Sequence, residues 1–237
     1  MDGCPAFLTA HGRTMAATAE VTAKSTPAPK AAPSASARWF DQPVNRYLAI
    51  GGAVVAIAIL AWFIVLSGRR KEDFASRALE QARGIAESGN LPLAASELQK
   101  VITTYGGTRA GQEAVMSLNQ VRLVNGQYEL AAVALEEFLK GNPSSEFRAP
   151  AYGLLGRALE NAKRPQDAAQ AYTTGSAAAV VPYLRTELLL DAGRAWVSAN
   201  DTAKALAAYR QIIKDFPDSP SQTEATVRLS ELTAGQP

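Results

Sequence analysis

The sequence predicts an all-α protein: a single transmembrane helix followed by a solenoid of four helix pairs and a C-terminal capping helix. Three observations predict it. Alanine is abundant, aromatic residues make up only 7% of the 237 residues, and long β-branched alternations are absent, which favours helix. The stretch "YLAIGGAVVAIAILAWFIVLSG", Tyr47 to Gly68, carries no charge. Beyond it an apolar pattern returns every thirty-seven residues, and a fixed period in this range marks stacked helix pairs.

Residues 1–46 are rich in Ala, Pro, Ser and Thr and show no apolar periodicity. Such a segment buries too little apolar surface to offset its ordering entropy, so a disordered tail is expected. Trp39 and Phe40 are its exception, placed to sit at a membrane interface or to be an isolated aromatic pair. Met15 opens a uniform tail and is an alternative start. The chain has one cysteine, Cys4, and one histidine, His11. The body of the protein therefore has no disulfide framework, no Cys/His metal site and no histidine base, and no cofactor is expected. "MDGC" lacks the apolar run that an export lipobox places before its cysteine, which argues against lipid attachment there.

The run 47–68 is long enough as a helix, at 1.5 Å per residue, to span roughly 30 Å of hydrocarbon. Tyr47 and Trp62 are suitable aromatic anchors, and "RRKED" follows to stop the insertion. A cleaved signal has a shorter apolar region and a small-residue cleavage site, so an uncleaved anchor is expected. Gly52 and Ala56 form a small-xxx-small pair of the kind that lets two such helices approach. Residues 74–237 carry 16 basic and 17 acidic side chains, against 8 and 5 in the first 73. That near-neutral domain argues against a nucleic-acid partner.

The repeat domain is expected over 74–234. Ala94, Ala131, Ala168 and Ala205 share one position, and Leu98, Leu135, Tyr172 and Tyr209 another. Val101, Phe138, Gly175 and Ile212 continue that stripe three residues on, and Gly175 interrupts it, predicting a weak point in the third copy. Gly156 and Gly193 fall where the two helices of a pair come closest; Asn119 and Ala82 hold that place in the earlier copies, predicting looser packing. Pro143 and Pro217 are expected to end their helices, because proline lacks the amide donor and clashes with the preceding turn. Ser221 with Glu224 reads as a capping box for a final helix, Gln222 to Thr233.

These residues resemble the tetratricopeptide repeat (TPR), most closely in the fourth copy: Gly193, Trp196, Ala205, Tyr209 and Pro217. The third copy matches in Gly156, Ala168 and Tyr172 but has Val180 in the proline place, and Arg122 replaces an aromatic in the second. The longer period, with extra residues in links such as "PDSPSQTEA", resembles envelope proteins of this type, among them cell-division coordinators and outer-membrane assembly factors. The order of tail, anchor and repeats resembles the ancillary subunit of the bacterial Sec translocon. The resemblance implies binding of proteins or extended peptide segments, with the translocon or periplasmic chaperones as partners, and neither enzymatic activity nor a small-molecule substrate. It implies an inner-membrane protein with its tail in the cytoplasm and its repeats in the periplasm.

In such arrays ligands lie in a groove lined by the first helix of each pair. Carried over by position, the lining residues are Arg83, Gln120, Arg157 and Arg194. Arginines there suit the carboxylates of a peptide; they equally suit ordinary ion pairs with Glu80 and Asp191, three residues before two of them. An enzyme would have to draw its acids from Glu136, Glu137, Glu160 or Asp191, all at positions that read as exposed. A purely architectural or oligomerising scaffold is a further alternative, and so is a cytoplasm-facing adaptor. Arg69, Arg70, Lys71, Arg77 and Arg83 follow the anchor against Lys30, Arg38 and Arg46 before it, a count that favours repeats in the cytoplasm.

Overall fold

The computed structural model describes residues 43–234. The described residues fall into two units, divided between Ile57 and Ala58. Among the described residues there are nine helices and no strand. The expected disordered tail, with Cys4, His11, Met15, Trp39 and Phe40, lies outside them except for residues 43–46, which are helical rather than disordered.

Helix α1 runs Pro43–Glu87. Proline suits a first helical position, where its missing N–H has no partner to lose. In the first unit the described large apolar side chains, among them Tyr47, Leu48, Val54 and Ile57, are exposed. In the second unit the same helix exposes Leu60, Trp62, Phe63 and Ile64. A stretch of α1 is long and apolar enough to cross a membrane, and none of it is buried. "RRKED" does not interrupt the helix, because no proline or glycine follows Gly68 until Gly84. Instead Ala75, Leu79 and Ala82 become buried at helical spacing, so the last turns of α1 are the first helix of the first pair.

The second unit continues as α2 Leu91–Tyr105, α3 Arg109–Val124, α4 Tyr128–Lys140, α5 Ser145–Asn161, α6 Pro165–Ala178, α7 Pro182–Ser198, α8 Thr202–Asp215 and α9 Ser221–Thr233. Each turn within a pair contains one left-handed residue, and these recur at the repeat period: Gly89, Gly126, Lys163 and Asn200. The next amide closes the turn back onto the helix, as in Gln127 N–H to Arg122 O at 2.9 Å and Arg164 N–H to Leu159 O at 2.9 Å. Glycine adopts this backbone freely, whereas Lys163 holds it at φ 63° with a Cβ in place.

Side chains also cap helices across repeats. The Glu72 carboxylate accepts from the amides of Arg109 at 2.9 Å and Ala110 at 2.8 Å, at the start of α3. Gln112 Oε1 accepts from the Ser144 amide at 3.0 Å, before α5. The first amides of a helix lack intrahelical partners, and a carboxylate also complements the positive end of the helix dipole.

Three local expectations need correction. Ser221 and Glu224 do not form a capping box: Ser221 is already helical behind Pro220, and no side-chain hydrogen bond caps α9. The Ser221 hydroxyl is buried and donates to Thr186 Oγ1 at 3.1 Å, a partner supplied by α7. Gly175 is no weak point. It is buried, and a Cβ there would lie 2.7 Å from Tyr152 Cβ and 3.3 Å from Leu188, so α5 and α7 fill the space a side chain would take. Pro143 does not itself end α4, which stops at Lys140 with Gly141 and a left-handed Asn142; Pro143 is buried in the link that follows. At α8, Pro217 directly follows the C-terminal cap Phe216.

Candidate functional site

Packing within the pairs positions the site. Ala94, Ala131, Ala168 and Ala205 are wholly buried, and Leu98, Leu135, Tyr172 and Tyr209 pack beside them. A Cβ built on Gly156 would lie 2.6 Å from Cδ1 of Tyr172, and one on Gly193 would lie 2.5 Å from Cζ of Tyr209. Both rings are buried against the glycine backbone, so these helices meet ring against backbone. Asn119, at the matching place in the second pair, is also buried; it donates to Val115 O at 2.9 Å and accepts from Arg122 at 3.1 Å. Burial holds the Arg122 guanidinium below its ordinary range.

The four groove positions fall into two groups. Arg83 and Gln120 line one depression of about 530 Å³, together with Ala86, Leu98, Ser117 and Val121. Arg83 is locked: it pairs with Glu113 at 2.7 Å, reaches Glu80 at 3.3 Å, and donates to Ser117 Oγ at 3.2 Å. Gln120 is exposed at the mouth. Arg194 lines a second depression of about 240 Å³ with Tyr209, Arg228 and Glu231. It also pairs with Asp191 at 2.8 Å and approaches Glu160 at 3.9 Å. Arg157 is exposed and acts on Asp191 through its field.

Charge in this region is internally balanced. Burial pushes the Asp191 carboxyl above its ordinary range, and Arg194 opposes that shift. Glu160 accepts from the Tyr172 hydroxyl at 2.6 Å. Burial, then this bond, drives the Tyr172 phenol far above its ordinary range, and burial raises Tyr209 as well. Glu137 reaches Lys140 at 3.9 Å on an exposed face. Among the described residues no group of three or more Asp, Glu, His or Cys is arranged to hold a metal. The sequence reading missed Glu113 and Ser117 as partners of Arg83; only the thirty-four-residue separation of Arg83 and Ser117, near one repeat length, hinted at them.

The raised phenols set an alkaline limit. The folded array keeps the Tyr172 and Tyr209 protons while the unfolded chain releases them near the ordinary tyrosine value of about 10. The stability they contribute is present below about pH 10 and is lost as pH rises beyond it. Tyr172→Phe is expected to cost about 0.5–1.5 kcal/mol at neutral pH through the lost hydrogen bond. It is also expected to make the alkaline loss shallower, read by urea unfolding at about pH 7 and about pH 11. An identical pH dependence in the variant would refute this.

Comparison with known proteins places this geometry. Residues 71–235 match the sequence profile of YfiO, described as an outer membrane lipoprotein. No curated protein matches the chain. Among solved structures, that of MamA is 20% identical, covering 65% of this chain and 83% of that one, with a TM-score of 0.52. The Podosopora anserina putative kinesin light chain with nearly identical TPR-like repeats is 19% identical, over 68% and 87% of the two chains, at a TM-score of 0.53. A tetratricopeptide repeat protein from Parabacteroides merdae ATCC 43184 is 13% identical, over 68% and 60%, at 0.54. At these identities the likeness carries the fold, an all-α solenoid of TPR type.

Proposed function

The chain belongs to the YfiO outer membrane lipoprotein family, and on that premise we propose that it is a membrane-anchored envelope scaffold whose repeats hold extended segments of partner proteins. A TPR array is a protein–protein interaction scaffold; the anchor, the compartment and the partner class are our reading. The observation that carries it is the first depression, where Arg83, held by Glu113 and Ser117, stands with exposed Gln120 over an apolar floor. The family match begins at Lys71, so lipid attachment does not come with it. The apolar stretch 47–68 of α1 supplies the anchor instead, and 74–234 the binding domain. By their resemblance to the ancillary subunit of the Sec translocon, we place the repeats in the periplasm of a bacterial inner-membrane protein. There they would act on newly exported chains beside the translocon or with periplasmic chaperones. We read the chain as non-catalytic, since Glu160 and Asp191 are committed to Tyr172 and Arg194.

Two experiments test this. A photo-crosslinking residue placed at Arg157 or Arg194 in living cells is expected to trap envelope proteins, identified by mass spectrometry. Absence of adducts from both positions argues for an architectural array. Protease added to intact spheroplasts is expected to digest the repeats. Protection until lysis would instead favour a second reading, a cytoplasm-facing adaptor. One observation supports that reading: Arg69, Arg70, Lys71 and Arg77 are exposed just after the apolar stretch and make no ion pair among the described residues.

A further inference from the structure

The depression beside Arg83 belongs to a site that recurs along the array, and its counterparts show what fits it. Two repeat lengths on, Leu98 becomes Tyr172, Ala86 becomes Glu160, Ser117 becomes Asp191 and Gln120 becomes Arg194. In that third pair the matching space is filled: the Tyr172 ring is fully buried and its hydroxyl donates to Glu160 at 2.6 Å, under Arg194. One repeat length on, Ala86 becomes Leu123 and Ser117 becomes Leu154, both packed into the core. Three repeat lengths on, the same positions are Arg194, Val197, Tyr209, Arg228 and Glu231, which line the second depression. That one measures about 240 Å³ against about 530 Å³ for the first, in keeping with Tyr209 and Val197 standing where the first has Leu98 and Ala86.

Resting on the scaffold reading above, we propose that the first-pair pocket receives one aromatic side chain from an extended partner segment, in the place that the Tyr172 ring fills two repeats later. Ala86, Leu91 and Val124 give the ring accessible apolar walls, with Leu98 and Val121 buried behind them. Gln120 stands exposed at the mouth with a donor and an acceptor for the backbone beside it. The surrounding charge selects the flanks. Arg83 contributes one positive charge, already engaged by Glu80 and Glu113, and Glu87 adds a further negative charge to the rim. Arg83 is thus neutralised in place, and Glu87, the other charged residue of the lining, pairs with no cation among the described residues and complements a lysine or arginine next to the aromatic residue.

The test uses the full chain in nanodiscs and two probes labelled at the N-terminus: fluorescein-Gly-Gly-Lys-Ser-Phe-Ser-Lys-amide and the same peptide with alanine in place of phenylalanine. The phenylalanine peptide is expected to bind about tenfold more tightly by anisotropy, the effect of burying one ring. Combining Ala82→Gly, Ala86→Glu and Leu98→Tyr copies the filled third pair, including the backbone clearance of Gly156, and is expected to abolish the difference. Ala86→Leu, copying Leu123, is the second blocking variant should the triple one not fold. Equal affinities for the two peptides on the unmodified chain, or a preference that survives Ala86→Leu, overturns the pocket. Adducts from Arg157 or Arg194 alongside equal peptide affinities would remove the pocket and leave partner binding standing; absence of both adducts and a peptide preference removes partner binding and leaves an architectural array.

Discussion

Truncating Tyr172 to alanine is expected to destabilise the array by about 3–5 kcal/mol, the cost of emptying a large aromatic site that cannot collapse. The ring is fully buried, its hydroxyl meets Glu160 at 2.6 Å, and its face rests on the backbone of Gly156. The reciprocal change tests the same contact. Gly156→Ala alone is expected to cost about 1–3 kcal/mol, because the new methyl would lie 2.6 Å from Cδ1 of a ring with no free space behind it. Combined with Tyr172→Leu, it recreates the Ala82–Leu98 pairing of the first repeat, and most of the alanine penalty should disappear. Urea unfolding of the detergent-solubilised chain, followed by circular dichroism, gives the global figure. Repeat arrays open locally, so hydrogen exchange of the α5 and α6 amides is the sharper readout. An alanine penalty that is the same with tyrosine and with leucine at 172 would show that ring-against-backbone contact is not what fixes the glycine.

Glu72→Ala is expected to cost about 1–2 kcal/mol, as loss of a helix cap does. Its carboxylate serves two amides of α3, Arg109 and Ala110, and lies at the positive end of that helix. Those two amides should exchange about tenfold faster in the variant, in line with about 1.4 kcal/mol. Glu72→Gln keeps one acceptor oxygen and should fall between the two. Unchanged exchange at Arg109 and Ala110 would mean that water replaces the carboxylate at no cost.

The period of thirty-seven, the four alanines, the two tyrosines and the apolar stretch of α1 were legible in the sequence, because each states a local or repeated requirement of side-chain size or polarity. Helix ends were less legible. "RRKED" changes the solvent preference of α1 without changing its backbone preference, so the helix runs on to Glu87. The left-handed turn residues were legible in retrospect: Gly89, Gly126 and Asn200 are types that tolerate positive φ, and Lys163 alone hides the pattern. At the site, Arg83 and Gln120 could be named by register, but what they face could not.

The sequence by itself thus determined the class of fold, the number and length of the repeats, and an apolar helix long enough for a membrane. These follow from hydrophobic periodicity and from residues whose backbone or volume limits act wherever they are placed. Only the tertiary structure decided that Gly175 is a tight contact, that Ser221 bonds Thr186 instead of capping α9, and that Arg83 is held by Glu113. It also decided that one recurring interhelical space is filled by Tyr172 and left open beside Leu98. Each of these depends on which side chains of neighbouring repeats meet, and a period along the chain fixes their positions without fixing whether the space between them is full.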